Sequence, residues 1–273
     1  MEKESSEKTK TYDIFNALTE IKMGKIISVI NQKGGVGKTT TAVNLAASLS
    51  ALEKKVLLID MDPQGNATSM SSIKEENFNT IYDMMADPQI SAIYPTKIPL
   101  LKIIPCNSDL TGAEVELLEV ENREFVLKEI LQNLKNKFDF IIIDSPPTLN
   151  ILTINNMVAS DGIIIPMQCE YFALEGLSRI TETIKSVKNM NPGIKIYGIL
   201  LTMYDKRVKL TYEVENDVRE HFGDTVFETV IPRNVRLSES PSFGMPILLY
   251  DISSIGARKY LDLAKEFLGR MKK

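Results

Sequence analysis

The residues best suited to chemistry lie in one stretch, Gln32-Lys33-Gly34-Gly35-Val36-Gly37-Lys38-Thr39-Thr40, directly after the apolar run over 26–30. A β-branched run that ends in a glycine-rich turn and opens onto a helix brings backbone N–H groups and a helix N-terminus onto phosphate oxygens. Gly34, Gly35 and Gly37 supply positive φ and close backbone approach, with Val36 between them. Lys38 is placed to reach the β- and γ-phosphates of a nucleotide and the Thr39 hydroxyl to hold Mg²⁺, with Thr40 continuing the helix. The pattern G-x-x-x-x-G-K-[ST] is broken at its first position, where Gln32 replaces glycine, and a second lysine, Lys33, follows.

Three acids complete the set. Val56-Leu57-Leu58-Ile59-Asp60 and Phe138-Asp139-Phe140-Ile141-Ile142-Ile143-Asp144 are strand-like runs that each end in an aspartate, and Asp62 lies two residues past the first. In a parallel sheet the C-terminal strand ends share one edge, where ligands bind. Asp144, after four hydrophobic residues, has the form of an acid that holds Mg²⁺ through its water shell beside Thr39. A lone aspartate ending a strand is more often a cap or turn residue, and the intact Gly37-Lys38-Thr39-Thr40 reverses that balance. Asp62-Pro63-Gln64-Gly65 reads as a rigid turn able to aim Asp62 at an attacking water. With Lys38 already serving the phosphates, Lys33 finds its natural use across a dimer interface, on a nucleotide held by a second copy.

The elements that must position these groups alternate strand and helix: strand 26–30, helix 40–52, strand 56–60, helix 78–86, strand 101–105, helix 123–136, strand 138–144, strand 162–166, helix 174–190, strand 196–201, helix 211–221, strand 229–231 and helix 254–270. This order predicts one α/β domain over 24–273 with a mostly parallel sheet covered on both faces, as in P-loop nucleotidases. Residues 1–23, mixed in charge and poor in apolar side chains, read as a tail, and Met23 as an alternative translation start. A weakly amphipathic Tyr12-Asp13-Ile14-Phe15-Asn16-Ala17-Leu18 leaves open a short partner-binding helix there. Against 36 acidic side chains stand 32 basic ones, so any nucleic-acid contact must come from local patches. Two isolated cysteines and one histidine exclude a disulfide framework and a zinc site. No run approaches the length of a membrane span, so the expectation is a soluble, cytoplasmic protein.

With Asp60-Met61-Asp62-Pro63-Gln64-Gly65-Asn66 and Asp144-Ser145-Pro146-Pro147, the loop resembles that of the deviant Walker A ATPases. From about residue 24 to the C-terminus the chain is similar to the ParA/Soj-type partition ATPases. The blocks Asp109-Leu110-Thr111-Gly112-Ala113-Glu114, Thr202-Met203-Tyr204-Asp205-Lys206-Arg207 and Ile231-Pro232-Arg233-Asn234-Val235-Arg236 carry this part of the likeness. The resemblance implies an ATP-sandwich homodimer in which Lys33 acts in trans, Asp62 orients water and Asp144 serves Mg²⁺, with Pro232, Arg233 and Asn234 against the adenine. It further implies non-specific binding of double-stranded DNA, nucleoid association, and weak hydrolysis stimulated by a ParB/Spo0J-type partner. DNA contacts map to Arg207 and Arg236, with Lys206 and Lys209 beside them. The span 203–236 holds six basic and seven acidic residues, so a solvated surface is the competing reading there.

Two rivals share the loop. A MinD-like spatial regulator needs an amphipathic membrane helix, for which 260–273 has helical apolar spacing but no strongly basic face. The other rival is a metabolic or electron-transfer enzyme on this fold, such as a dethiobiotin-synthase-like ligase or a nitrogenase-type iron protein; the iron protein would have to use Cys106 and Cys169, which lack a glycine-rich cluster context.

Overall fold

The computed structural model describes residues 24–71, 73 and 77–272. The tail expected at 1–23 lies outside them. Strands β1 (Lys25–Val29), β2 (Val56–Asp60), β3 (Tyr94–Pro95), β4 (Leu101–Ile104), β5 (Phe140–Asp144), β6 (Gly162–Gln168) and β7 (Lys195–Thr202) form one sheet in the order β3-β4-β2-β5-β1-β6-β7. Every pairing is parallel except that of β3 with β4. The helices are α1 (Lys38–Ala51), α2 (Asn66–Ser69), α3 (Ile81–Ala86), α4 (Leu110–Glu116), α5 (Val126–Gln132), α6 (Ile151–Ala159), α7 (Ala173–Val187), α8 (Lys209–Phe222), α9 (Val235–Glu239), α10 (Ile247–Tyr250) and α11 (Ile255–Arg270).

Alternate residues of the strands feed opposite layers. Ile27 and Val29 of β1 and Leu58 of β2 join Ala42, Leu45, Leu49, Tyr260, Leu263 and Phe267 in a core roofed by α1 and α11. Ile26, Leu57, Ile141 and Ile143 face the other way, onto α3 to α6. Ile163, Ile165, Ile199 and Leu201 meet α7 and α8 on that same side. Helix α1 is buried almost all round, which its alanines and serines permit by letting the sheet and α11 approach closely.

One expectation changes. The strand predicted over 229–231 is not a strand: Ile231 donates its N–H to Leu201 O at 2.9 Å, and isolated bridges at Val226 and Pro232 attach this segment to the edge of β7. The final helix expected over 254–270 is α11, and the apolar spacing that the membrane-binding rival would have used serves the core: Tyr260, Leu263, Ala264 and Phe267 are buried, Phe267 standing edge-on to Phe140 at 5.6 Å. Among the described residues no helix is long and apolar enough to cross a membrane.

Candidate nucleotide site

Strand β1 is the central switch point of the sheet, flanked by β5 and β6, and the glycine loop leaves its C-terminal end. Gly35 and Gly37 take φ of 75° and 88°, the left-handed region a side chain would disfavour. A Cβ built on Gly34 or Gly35 meets nothing within 4 Å, so the concave side of the loop is open. Gly37 caps α1, and Lys38 is its first residue.

Side chains at the ends of neighbouring strands hold the loop by its carbonyls. Gln168, the last residue of β6, donates Nε2 to Gly35 O at 2.9 Å, and Thr202, the last of β7, donates Oγ1 to Val36 O at 2.8 Å. Lys38 Nζ donates to Lys33 O at 3.1 Å. Asn31 donates Nδ2 to Pro166 O at 2.7 Å and accepts the Lys33 N–H at 2.9 Å. Sequence reasoning missed Asn31, Gln168 and Thr202, although the strand-end rule that found the acids also covers Gln168 and Thr202.

Register places Asp60 directly opposite Asp144 on adjacent strands. Asp60, fully buried, accepts the Thr68 N–H and hydroxyl, both at 2.7 Å, and the Asp62 N–H at 3.2 Å. Burial pushes its carboxyl up to about 6, and the bonds from Thr68 and Asp62 restrain the rise. Asp62 accepts the Gln64 N–H at 3.0 Å on Oδ1, and its carbonyl receives the Gly65 N–H at 2.8 Å and the Cys106 thiol at 2.9 Å. Gly65, at φ 63°, caps α2 and passes close over Cys106 O, where a Cβ would stand 3.3 Å away. Cys106 is therefore packed beneath the Asp62 turn, with burial pushing its thiol far above the ordinary range.

Asp144 is fully buried and neither of its carboxylate oxygens has a hydrogen-bond partner. Burial and the charge of Asp60 push its carboxyl well above the usual range, while the Thr39 hydroxyl and Lys38 pull it down. Burial in turn lowers Lys38, which Asp144 and Asp62 oppose. Asp62 and Asp144 thus face Lys38, with Asp60 beside Asp144, in a buried site whose carboxyls a bound cation would favour in their charged form. Among the described residues no three His, Cys, Asp or Glu side chains form a ready-made metal cage. Thr39 and Asp144, which lie together, are the side chains that fit Mg²⁺, an ion that keeps several waters and takes its remaining ligands from one or two side chains and a phosphate.

Beside the loop, a cavity of about 180 Å³ is lined by Gly37, Thr40, Met203, Pro232, Arg233 and Asn234. The structure thus brings the 232–234 block beside the loop. Asn234 spends its side-chain oxygen capping α9, accepting the Leu237 N–H at 3.1 Å. On the outer side of the loop Lys33 is exposed and ion-paired with Glu170 instead of with Asp62 or Asp144. The exposed rings of Tyr171 and Phe172 lie next to that pair, edge to face at 5.1 Å.

The basic candidates lie elsewhere and are tied to their own acids. Arg207 makes a two-pronged contact to Asp205, at 2.9 and 2.7 Å. Lys209 meets Glu213 at 3.2 Å, and Arg236 meets Glu239 at 3.0 Å and Asp251 at 3.4 Å. Lys206 has no ion pair among the described residues. The alternative use of the cysteines fares worse. Cys169 is part-buried, with burial pushing its thiol up to about 12, and it lies beside Glu215 and Arg219.

A family profile described as an AAA domain matches residues 24–196. The Chromosome partitioning protein ParA of Myxococcus xanthus is 53% identical over 252 residues, covering 91% of this chain and 89% of that protein. The Sporulation initiation inhibitor protein Soj of Bacillus subtilis is 52% identical over 248 residues, covering 89% of this chain and 98% of that protein. Among solved structures, a cobyrinic acid a,c-diamide synthase from Mycobacterium smegmatis with bound ADP and magnesium superposes with a TM-score of 0.79 at 33% identity, over 92% of this chain and 96% of that one.

Proposed function

The chain belongs to the ParA/Soj family of chromosome-partitioning ATPases, and from that premise we propose that it is a Mg²⁺-dependent ATPase switch that moves DNA. In this reading the ATP-bound homodimer binds double-stranded DNA without sequence preference, and a ParB/Spo0J-type partner stimulates its slow hydrolysis. The observation that carries the reading is the fully buried Asp144 carboxylate without a partner, set beside Lys38 and Asp62 beneath an open glycine loop. A carboxyl raised this far holds a proton when no counter-charge is beside it, and a cation bound next to it would favour the charged form.

Bound Mg²⁺ would supply charge neutralisation across the phosphates, with the Thr39 hydroxyl as a ligand and Asp144 acting through coordinated water. The loop N–H groups and Lys38 would orient the phosphates, and the cavity at Pro232, Arg233 and Asn234 would seat the base. Asp62 Oδ1 is held by Gln64 N–H, which leaves the second oxygen to accept a proton of the attacking water and aim its lone pair. Lys33 would leave Glu170 to meet the phosphates of a second copy, whose approach the exposed Tyr171 and Phe172 would cover. Arg207, Arg236, Lys206 and Lys209 would meet DNA phosphates. In this reading the protein works in the cytoplasm on the nucleoid, through a single ATPase domain over 24–273.

The deciding experiment is ATP hydrolysis measured with DNA and a ParB-type partner added separately and together. Synergy is the expected result; a rate indifferent to both would overturn the switch.

A further inference from the structure

One residue, Tyr204, is bonded both to the rim of the nucleotide cavity and to α8, whose start is basic. Met203 lines the cavity and takes φ of 48°, a left-handed conformation uncommon outside glycine and concentrated at functional sites. Its sulfur accepts Gln168 Nε2 at 2.8 Å, the same nitrogen that donates to Gly35 O of the glycine loop. Tyr204 follows. Its N–H donates to Ile231 O at 3.0 Å, and its carbonyl accepts the Arg233 N–H at 3.2 Å, so its backbone is fastened to the rim of the cavity. Its side chain points the other way, 6% exposed, with the hydroxyl donating to Glu215 of α8 and the ring edge-on to Tyr212 at 6.4 Å. Helix α8 begins at Lys209, and the intervening turn holds Arg207 on Asp205.

We infer that Tyr204 is a positioning residue that couples the nucleotide cavity to the basic start of α8, its backbone fixed to the 231–233 rim and its hydroxyl to Glu215. A shift of the rim as the cavity fills moves the Tyr204 backbone, and the buried phenol carries that movement to α8 instead of losing it to solvent. The inference rests on the reading that the ATP-bound form binds DNA.

The test compares wild type with Tyr204→Phe, Glu215→Ala and the double variant in the full chain. The readouts are affinity for a short DNA duplex with a slowly hydrolysed ATP analogue and with ADP, nucleotide affinity without DNA, and thermal stability. Tyr204→Phe should reduce the ratio of the two DNA affinities about tenfold while nucleotide affinity without DNA stays within about twofold. Glu215→Ala, which also removes the Arg219 pair at 2.9 Å, should lower the ratio at least as much, and the double variant should add nothing to Glu215→Ala. A Tyr204→Phe protein with the wild-type ratio would overturn the inference, as would an equal loss of DNA affinity in both nucleotide states. Should Glu215→Ala not fold, Tyr204→Phe decides alone. A wild-type ratio near one would instead overturn the DNA-switch reading itself, and the inference with it.

Discussion

Asp60 makes the stability of the nucleotide-free protein depend on pH in a direction opposite to that of a typical surface carboxylate. Its folded-state carboxyl is pushed up to about 6 by burial, against about 3.9 in an unfolded chain. The folded state therefore holds a proton that the unfolded state releases, so stability falls as pH rises between those values. About two pK units correspond to roughly 3 kcal/mol in total, of which about 2 kcal/mol is lost between about pH 4.5 and pH 7. Asp144, raised for the same reason and further by the charge of Asp60, adds in the same direction. Asp205, Glu239 and Asp251, lowered by their partners, work the other way but are exposed to solvent. Comparison with Asp60→Asn removes the Asp60 proton together with the part of the Asp144 rise that the Asp60 charge supplies, so the difference reports the pair, and any constant penalty of the amide cancels in the slope. With no tryptophan in the chain, urea unfolding is followed by far-ultraviolet circular dichroism. The wild-type stability minus that of Asp60→Asn should fall by about 2 kcal/mol across that range. A difference constant within about 0.5 kcal/mol, the usual limit of additivity, would refute the placement of Asp60 in a charge-averse site.

Asp62→Ala should cut partner-stimulated hydrolysis by about a hundredfold or more while a DNA-bound dimer persists; normal stimulated turnover would sink the water-orienting role. Arg207→Ala combined with Arg236→Ala should weaken DNA binding and lower the slope of log affinity against log salt by about 2, with dimerisation spared, and an unchanged salt titration would remove the patch. Lys33→Ala should lose stimulated turnover yet alter urea stability by less than about 1 kcal/mol, since its pair with Glu170 is solvent-exposed; a larger loss would mean that the pair is structural. Gly198→Ala places a Cβ 2.1 Å from the Phe227 ring, so it should cost about 1–3 kcal/mol by urea unfolding, and an unperturbed midpoint would contradict the packing of β7 on Phe227.

The fold was legible where periodicity and burial agree. The parallel strands are apolar runs because both faces are covered, and each glycine-marked turn falls where the chain reverses. Elements with weaker signals escaped. Helix α6, Ile151-Leu152-Thr153-Ile154-Asn155-Asn156-Met157-Val158-Ala159, carries two asparagines and four β-branched residues, a poor propensity pattern that tertiary burial overrides. Asn155 earns its place there by accepting the Leu127 N–H at 3.1 Å and donating to Arg123 O at 2.8 Å, contacts no local window contains. The mistaken strand at 229–231 has strand-like composition, but its backbone bonds go singly to the end of β7 instead of along a ladder.

The candidate site was legible by residue type but not by partner. Sequence placed Lys33, Lys38, Asp62 and Asp144 at one edge, yet could not say which cation met which acid. The structure separates the two lysines by what faces them: Lys38 is buried among Asp62 and Asp144, whereas Lys33 stands outside, on Glu170. A buried lysine facing two buried acids is held within its own site. A lysine on a solvent-exposed carboxylate can be drawn away at little cost, because such pairs contribute about 1 kcal/mol or less. The missing glycine at Gln32 and the added lysine after it therefore leave the phosphate cradle intact and place a second cation beyond it, where a neighbouring copy could compete for it with Glu170.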